Sequence, residues 1–286
     1  MKKYHLLLLL VVFISATYGQ QNNGEESEGS EKISMEATPF VATEVQISKD
    51  VEKVECDNKK RLDGVIDLFK TAGFDESALK ITDYGSVKNM ELVIPGATEE
   101  AIVVGAHYDN KGSCGALDNW TGIVVLANLA HTLKSLKPQK TFRFVAFGKE
   151  EEGAIGSKAY VKKIPKNEHS NYCAMINFDS FGITFPQAMG NISSKKLIDV
   201  AEAASKKLEI PFGSAPIVNA SSDSASFLAK GIPAITMHGL DGNWMNYLHT
   251  RNDILKRVNM TSVYIAYRVA ILMLIKVDGQ ACDAYR

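Results

Sequence analysis

Short apolar runs alternate with longer amphipathic segments over most of the chain. The runs are rich in β-branched and aromatic residues and are bounded by glycine, proline or aspartate, which is the pattern of buried β-strands. They are MELVIPG, AIVVGAHY, TFRFVAF, YCAMINFDSFG and IPAITMHG. The first two runs are separated by a turn that contains Pro95 and Gly96. We therefore expect these two strands to pair.

Between the strands, apolar residues recur every three or four positions, as on one face of an α-helix. Asp118 or Asn119 is a candidate N-cap of the second helix. The predicted helices cover about residues 49–71, 120–136, 153–163, 194–208, 223–231 and 260–277. Apolar strands that alternate with helices indicate an α/β sandwich with helices on both faces of the sheet. No linker or internal repeat divides residues 39–286, so we expect one domain.

The N-terminal residues differ from the rest of the chain. Two lysines precede an apolar run from Leu6 to Ile14, and small residues follow it. This layout predicts a signal peptide over residues 1–19, because the run is too short for a membrane anchor. Residues 20–38 are polar and acidic, which predicts a disordered leader. The expected protein is exported, either secreted or periplasmic, without stable membrane insertion.

Charge and cysteine content narrow the classes of partner. The chain has a formal charge of −1, and loss of residues 1–19 removes two lysines and no acid, leaving −3. No basic run with interleaved aromatic residues occurs, so we expect no nucleic-acid partner.

The cysteines are Cys56, Cys114, Cys173 and Cys282. Export allows disulfides, but four cysteines permit three pairings and the sequence selects none. For Cys114 a disulfide or a buried small side chain is favoured over a thiol ligand or nucleophile.

Imidazole and carboxylate side chains follow several of the predicted strands. In chain order they are His107 with Asp118, Glu150 with Glu151, Asp179 and His249. Sites in open α/β sheets form beyond the carboxyl ends of the strands, so these loops can meet. Clustered carboxylates repel one another unless a proton or a cation intervenes. Imidazole with carboxylate suits zinc, and five ligands exceed the needs of one tetrahedral ion. We therefore expect two zinc ions that share one carboxylate.

The motifs GAHYDN, GALDNWTG, FVAFGKEEEGAIGS, INFDSFG, SDSASFLAKGIPA and HTRND stand in this order along the chain. From Glu91 to the C-terminus the sequence resembles peptidase family M28, whose members are zinc exopeptidases of the aminopeptidase type. The resemblance implies a three-layer α/β/α sandwich with a central mixed, mostly parallel sheet. It also implies peptide substrates and a hydrolytic reaction at the N-terminal peptide bond.

The same resemblance implies a role for each residue of the cluster. The implied zinc ligands are His107 and Asp179 for one ion, Glu151 and His249 for the other, and Asp118 as the bridge. Glu150 is the implied general base, which takes a proton from the attacking water and passes it to the leaving amine.

Further residues have two interpretations each. Asp109 is a candidate partner for the second nitrogen of His107, and Asp223 matches an aspartate near the family's site, but both could equally be capping residues. Tyr247 could donate its hydroxyl to the tetrahedral intermediate, although Leu248 separates it from His249. His238 is interpreted as structural and is the substitute ligand if His249 has another role.

Several alternative functions are compared with the motifs of the chain. A serine hydrolase is not supported, because no G-x-S-x-G motif occurs. A glutaminyl cyclase of the same fold, working with one zinc, is the main rival; the compact EEEGAIGS segment favours the peptidase. A carboxypeptidase, a dipeptidase and a non-catalytic binding domain are further alternatives. The length of the chain favours an aminopeptidase, which we expect to be a monomer. Trp244, Met245 and Phe181 are candidates for an apolar specificity pocket.

Overall fold

The computed structural model of the protein describes residues 41–218 and 220–286. The predicted signal peptide and leader lie outside the described residues. The helices are α1 (Glu44–Val51), α2 (Arg61–Thr71), α3 (Thr121–Lys134), α4 (Ile155–Lys162), α5 (Lys195–Lys207), α6 (Ser224–Leu228) and α7 (Met260–Asp278). The strands are β1 (Leu79–Asp83), β2 (Lys88–Ile94), β3 (Ala101–His107), β4 (Thr141–Phe147), β5 (Tyr172–Phe178), β6 (Gln187–Met189), β7 (Gly213–Ala215) and β8 (Ala234–His238).

The strands form one sheet in the order β1-β2-β4-β3-β5-β8-β6-β7. Its central strands β4, β3, β5 and β8 are parallel to one another, whereas β1, β2 and β6 add antiparallel pairings toward the edges. The predicted mixed, mostly parallel sheet is therefore confirmed. Since parallel strands all end at one edge, the loops after β3, β4, β5 and β8 lie side by side there.

Helices cover both faces of the sheet, as the continuous apolar strands predict. Alternate residues of β3 point to opposite faces: Ile102 and Val104 belong to the larger core, and Val103 belongs to the smaller one. The larger core lies under α1, α2, α3, α5 and α7. The smaller core lies under α4 and α6, where Phe147 and Phe227 are fully buried. These layers confirm the α/β/α sandwich.

Two predictions about elements are wrong. The predicted helix at 49–71 is divided into α1 and α2 by the polar segment 52–60, and Cys56 in this segment forms a disulfide with Cys114. The strands β2 and β3 do not pair, because β4 lies between them. The reason is visible at the turn between them, whose Ala97 and Thr98 amides donate to the carbonyls of Pro138 and Gln139, just before β4.

The closing helix α7 is long and apolar enough to cross a membrane by length and composition alone. In this fold it packs against α1, α3 and α5, and its Val263, Val269 and Met273 are fully buried in the larger core. Core packing accounts for its apolar character. A second disulfide, between Cys173 and Cys282, fastens the C-terminal residues to the start of β5.

Candidate active site

The five predicted zinc ligands come together at the carboxyl edge of the sheet. Each lies at the end of a central strand or in the loop after it. His107 ends β3, Asp118 lies between β3 and α3, Glu151 follows β4, Asp179 follows β5 and His249 follows β8. Residues that are up to 142 positions apart in the chain thus share one centre, because the parallel strands bring their ends to one line.

Asp118 lies in the middle of the cluster and divides it into two groups. Its Oδ1 is 3.0 Å from His107 Nε2 and its Oδ2 is 3.2 Å from His249 Nε2. His107 Nε2 also lies 3.5 Å from Asp179 Oδ1, and His249 Nε2 lies 2.8 Å from Glu151 Oε2. Ligand atoms within each group lie no more than 4.8 Å apart.

The donor set fits divalent cations. The His107 side chain is 1% exposed and those of Asp118 and Glu151 are 6% and 7% exposed, so the charges are withheld from water. Glu151 Oε1 is buried and has no hydrogen-bond partner among the described residues, which leaves it free to bind a cation. Two imidazoles and three buried carboxylates in two groups match the nitrogen and oxygen donors that zinc accepts.

Without cations, the imidazoles themselves must supply the positive charge. Burial acts to lower the pKa of His107, but the carboxylates of Asp109, Asp118 and Asp179 outweigh burial and raise this pKa well above 6.5. Hydrogen bonds to Asp118 and Glu151 raise the pKa of His249 to about 10. Protons therefore occupy the nitrogens through which the histidines would bind zinc, so zinc and protons compete.

Asp109 connects the His107 and Glu150 loops. Its Oδ1 accepts from the Glu150 amide at 2.9 Å and its Oδ2 accepts from the Glu151 amide at 3.1 Å. His107 Nδ1 lies 3.2 Å from the Asp109 carbonyl oxygen and 3.6 Å from the carboxylate. The predicted partner of His107 is thus close to its ring, and its carboxylate holds the two glutamates in place.

Glu150 and Asp223 are acids in an apolar and negatively charged setting. Burial raises the pKa of Glu150 to about 9; His107 opposes this, and the carboxylates of Asp223, Asp179 and Asp118 add to it. Burial also raises the pKa of Asp223 to about 7. Asp223 precedes α6, but its side chain does not cap that helix, and neither of its buried oxygens has a hydrogen-bond partner among the described residues. The capping alternative for Asp223 is therefore wrong.

The segment that carries Asp118 is held from two sides by Asp253 and Asn119. The sequence indicated Asn119 only as a candidate helix cap and did not indicate Asp253. Asp253 accepts from the Leu117 amide at 2.6 Å and from the Asp118 amide at 3.1 Å. Asn119, joined to Asp118 by a cis peptide bond, accepts from the Gly122 amide at 3.0 Å and donates to the Phe178 carbonyl. Asn119, and not Asp118, is thus the residue that caps α3.

The β3–α3 loop rests on Arg61, a second residue that was missed. Its guanidinium is fully buried and donates to the carbonyls of Tyr108, Cys114 and Gly115. Burial lowers its pKa to about 10, so it remains charged at neutral pH. For Asp253 the sequence signal was the five-residue motif HTRND, of which it is the last residue; an isolated arginine at the start of a helix offers none.

Gly112 explains how the loop reaches His249. Its φ is +81°, and a Cβ at this position would lie 2.5 Å from the His249 carbonyl oxygen. His249 itself has a positive φ of 58°, a conformation that few non-glycine residues adopt. The two backbones are therefore in close contact, and a side chain at position 112 would clash with the backbone of His249.

An apolar cavity of about 550 Å³ opens beside β8. Its lining includes Phe185, Ile217, Val218, Leu240, Trp244 and Met245. Trp244 and Met245 line this cavity, whereas Phe181 is fully buried in the larger core and does not. Their role in a specificity pocket stays a prediction. His238 also lines the cavity; burial lowers its pKa to about 4, and its Nδ1 accepts from the Leu240 amide at 3.1 Å. It is a structural residue outside the ligand cluster, as predicted.

Tyr247 packs against the cluster formed by Leu117, Leu240 and Leu248. Its carbonyl oxygen accepts from the Thr250 hydroxyl at 2.8 Å, which shapes the turn around His249. Its catalytic role stays a prediction.

An α/β/α sandwich with carboxylates and imidazoles converging beyond its parallel strands has the arrangement of a metal-binding site. The chain belongs to peptidase family M28, whose model matches residues 89–274. A probable leucine aminopeptidase of Arthroderma otae is 32% identical over 203 residues, which are 63% of this chain and 54% of that protein. This chain thus spans about half the length of that curated relative.

Solved structures agree on the fold. The LapA aminopeptidase of Legionella pneumophila covers 91% of this chain and 78% of its own with a TM-score of 0.75 and 18% identity. BSAP, a zinc aminopeptidase from Bacillus subtilis, covers 68% of this chain and 52% of its own with a TM-score of 0.61 and 24% identity. A glutaminyl cyclase of an Acidobacteriales bacterium covers 92% of this chain and 99% of its own, with a TM-score of 0.67 and 16% identity.

Proposed function

We propose that the protein is a zinc-dependent aminopeptidase that uses two zinc ions. The observation that carries this proposal is the position of Asp118, whose two oxygens face His107 at 3.0 Å and His249 at 3.2 Å. A single carboxylate between two imidazole-containing groups suits a pair of ions better than one. Membership of family M28 supports the peptidase reaction.

His107 and Asp179 would hold one ion, Glu151 and His249 the other, and Asp118 both. Zinc held by these residues would supply Lewis acidity, which polarises a carbonyl and lowers the pKa of water. Glu150 takes the proton from the attacking water and donates it to the leaving nitrogen. Asp109 keeps Glu150 in reach of both by holding its amide at 2.9 Å. The apolar cavity lined by Trp244 and Met245 would receive the side chain of an apolar N-terminal residue.

The test combines metal analysis with a substrate panel. We expect two zinc ions per chain by mass spectrometry, amine release from leucyl anilide, and no cleavage of the same substrate after acetylation of its amino group. A carboxypeptidase would instead cleave N-blocked peptides. One zinc per chain with ammonia release from N-terminal glutamine would favour the cyclase, which the fold also accommodates. No bound metal after zinc addition would favour a binding domain.

We also infer that the protein is exported. The pattern of residues 1–19 supports this, and so do the two disulfides, Cys56–Cys114 and Cys173–Cys282, which leave no free cysteine among the described residues and which persist in oxidising compartments. N-terminal sequencing of the protein from culture medium or periplasm tests the inference; an intact Met1 in the cytoplasm would contradict it.

A further inference from the structure

A second cavity, of about 490 Å³, opens beside Glu150. It lies between the loop after β4 and the helices α4 and α6. Glu150 lines this cavity and does not line the apolar one beside β8. The linings of the two cavities share no residue, so the cavities are separate.

The chemistry of Glu150 indicates what this second cavity receives. On the proposed function, on which this inference rests, Glu150 donates a proton to the leaving nitrogen. A proton donor must lie within hydrogen-bond reach of the atom it protonates, so the leaving part of the peptide lies on the side of Glu150. The N-terminal residue then occupies the apolar cavity, and the residues after the scissile bond enter the second cavity.

The second cavity is lined by lysines and by apolar side chains. Three of its lining residues are the exposed lysines Lys158, Lys162 and Lys230, and its single acidic lining residue is Glu150. Lys158 Nζ donates to the Gly153 carbonyl at 2.8 Å, which keeps this ammonium group beside the loop of Glu150. Val161, Ala225 and Ala229 provide apolar surface between the lysines. Such a surface attracts an anionic group attached to a small or apolar body.

We propose that the cavity around Lys158, Lys162 and Lys230 binds a carboxylate of the leaving peptide, so that the enzyme prefers short peptides with a free C-terminus or an acidic residue after the scissile bond. A free C-terminus and an acidic side chain both present a carboxylate to the lysines. Exposed lysine–carboxylate pairs contribute modestly each, so we expect a preference of about 3- to 30-fold in kcat/KM. Because the lysines are exposed, the preference should decrease as the salt concentration rises.

Four peptides that share an N-terminal leucine test this proposal. Leu-Gly is compared with Leu-Gly-amide for the C-terminal carboxylate, and Leu-Glu-amide with Leu-Gln-amide for an acidic side chain. The variant K158Q/K162Q/K230Q should bring both ratios of kcat/KM close to one. The matched control K166Q/K206Q/K207Q removes three exposed lysines that do not line the cavity and should keep the wild-type ratios.

Ratios near one in the wild-type protein, or ratios that survive K158Q/K162Q/K230Q, would overturn the proposal. A preference for only one of the two acidic peptides identifies which carboxylate is bound. Calorimetry of Leu-Gly and Leu-Gly-amide binding to Glu150→Gln gives the ratio of their dissociation constants, and so measures the same preference without turnover. Leucyl anilide carries no carboxylate. Failure of the wild-type protein to hydrolyse it would therefore count against the proposed function and not against this preference.

Discussion

Glu150 lies among like charges, and this setting matches its proposed role. Without cations, burial and the neighbouring acids raise its pKa to about 9. Positive charge at the ligand cluster would lower this pKa again, because a nearby opposite charge favours the ionised carboxylate. With positive charge at the ligand cluster, the pKa of Glu150 would lie closer to neutral pH. A carboxyl group with such a pKa can both accept and release a proton, as a general base and acid must.

Replacement of Glu150 by glutamine should reduce kcat by about 10²- to 10⁴-fold, the usual contribution of a general base. Zinc content should not change, because the predicted ligands remain. Steady-state kinetics on leucyl anilide and mass spectrometry of the metal measure both quantities. Glu152→Gln is the matched control, since Glu152 is exposed and pairs with Lys149 at 3.1 Å; its kcat should stay within about twofold of wild type. Near-normal turnover of Glu150→Gln would refute the assignment.

The sequence predicted the residues that bear reactive groups better than those that support them. His107, Asp118 and Asp179 were found because each follows an apolar run that reads as a strand. Arg61 and Asp253 were missed because their work consists of hydrogen bonds to backbone groups of the β3–α3 loop. Such bonds depend on where distant segments meet, and no local pattern of side chains records that.

At the scale of elements, periodicity predicted the type of each long segment but not its neighbours. The central strands and α3, α5 and α7 lie where the pattern placed them. The strands β1 and β7 at the two edges of the sheet, and β6 beside β7, were not predicted, since they are short or partly exposed and lack a continuous apolar run. The pairing of β2 with β4 was missed because the chain order suggests a hairpin, whereas the order in the sheet is decided by packing over the whole domain.

The Cys56–Cys114 disulfide joins the α1–α2 connection to the loop that leads to Asp118. It closes a sequence separation of 58 residues, for which chain entropy gives about 4 kcal/mol. C56A/C114A should therefore lower the free energy of unfolding by about 2–4 kcal/mol. It should also weaken zinc retention, because the loop that carries Asp118 gains freedom. Urea unfolding and zinc loss to a chelator measure the two effects.

The matched control is C173A/C282A, which opens a separation of 109 residues. Chain entropy predicts an equal or slightly larger loss of stability for this variant. Cys173 lies at the start of β5, however, at the edge of the sheet opposite to the ligand cluster. Zinc retention in the folded protein should then be close to wild type. Equal zinc loss from both variants would show that the Cys56–Cys114 disulfide has no particular effect on the site.

At the scale of the whole molecule, folding without cations makes His249 in the ligand cluster and the neighbouring Glu150 bind protons more tightly. The folded protein raises the pKa of His249 to about 10, from 6.5, and that of Glu150 to about 9, from 4.5. Each group therefore binds more protons in the folded than in the unfolded state at neutral pH. By linkage, the free energy of unfolding then falls as the pH rises.

The metal-free protein should consequently lose stability between pH 6.5 and 9. For His249 the contribution is fully present below 6.5 and is lost as the pH rises through about 10; for Glu150 the loss begins above 4.5 and is complete above about 9. Zinc replaces these protons, so the zinc-loaded protein should vary less over this range. Differential scanning calorimetry of both forms measures Tm, and about 2–4 °C corresponds to 1 kcal/mol for a domain of this size. Titration elsewhere affects both forms alike, so parallel curves would mean that the cluster does not exchange protons for zinc.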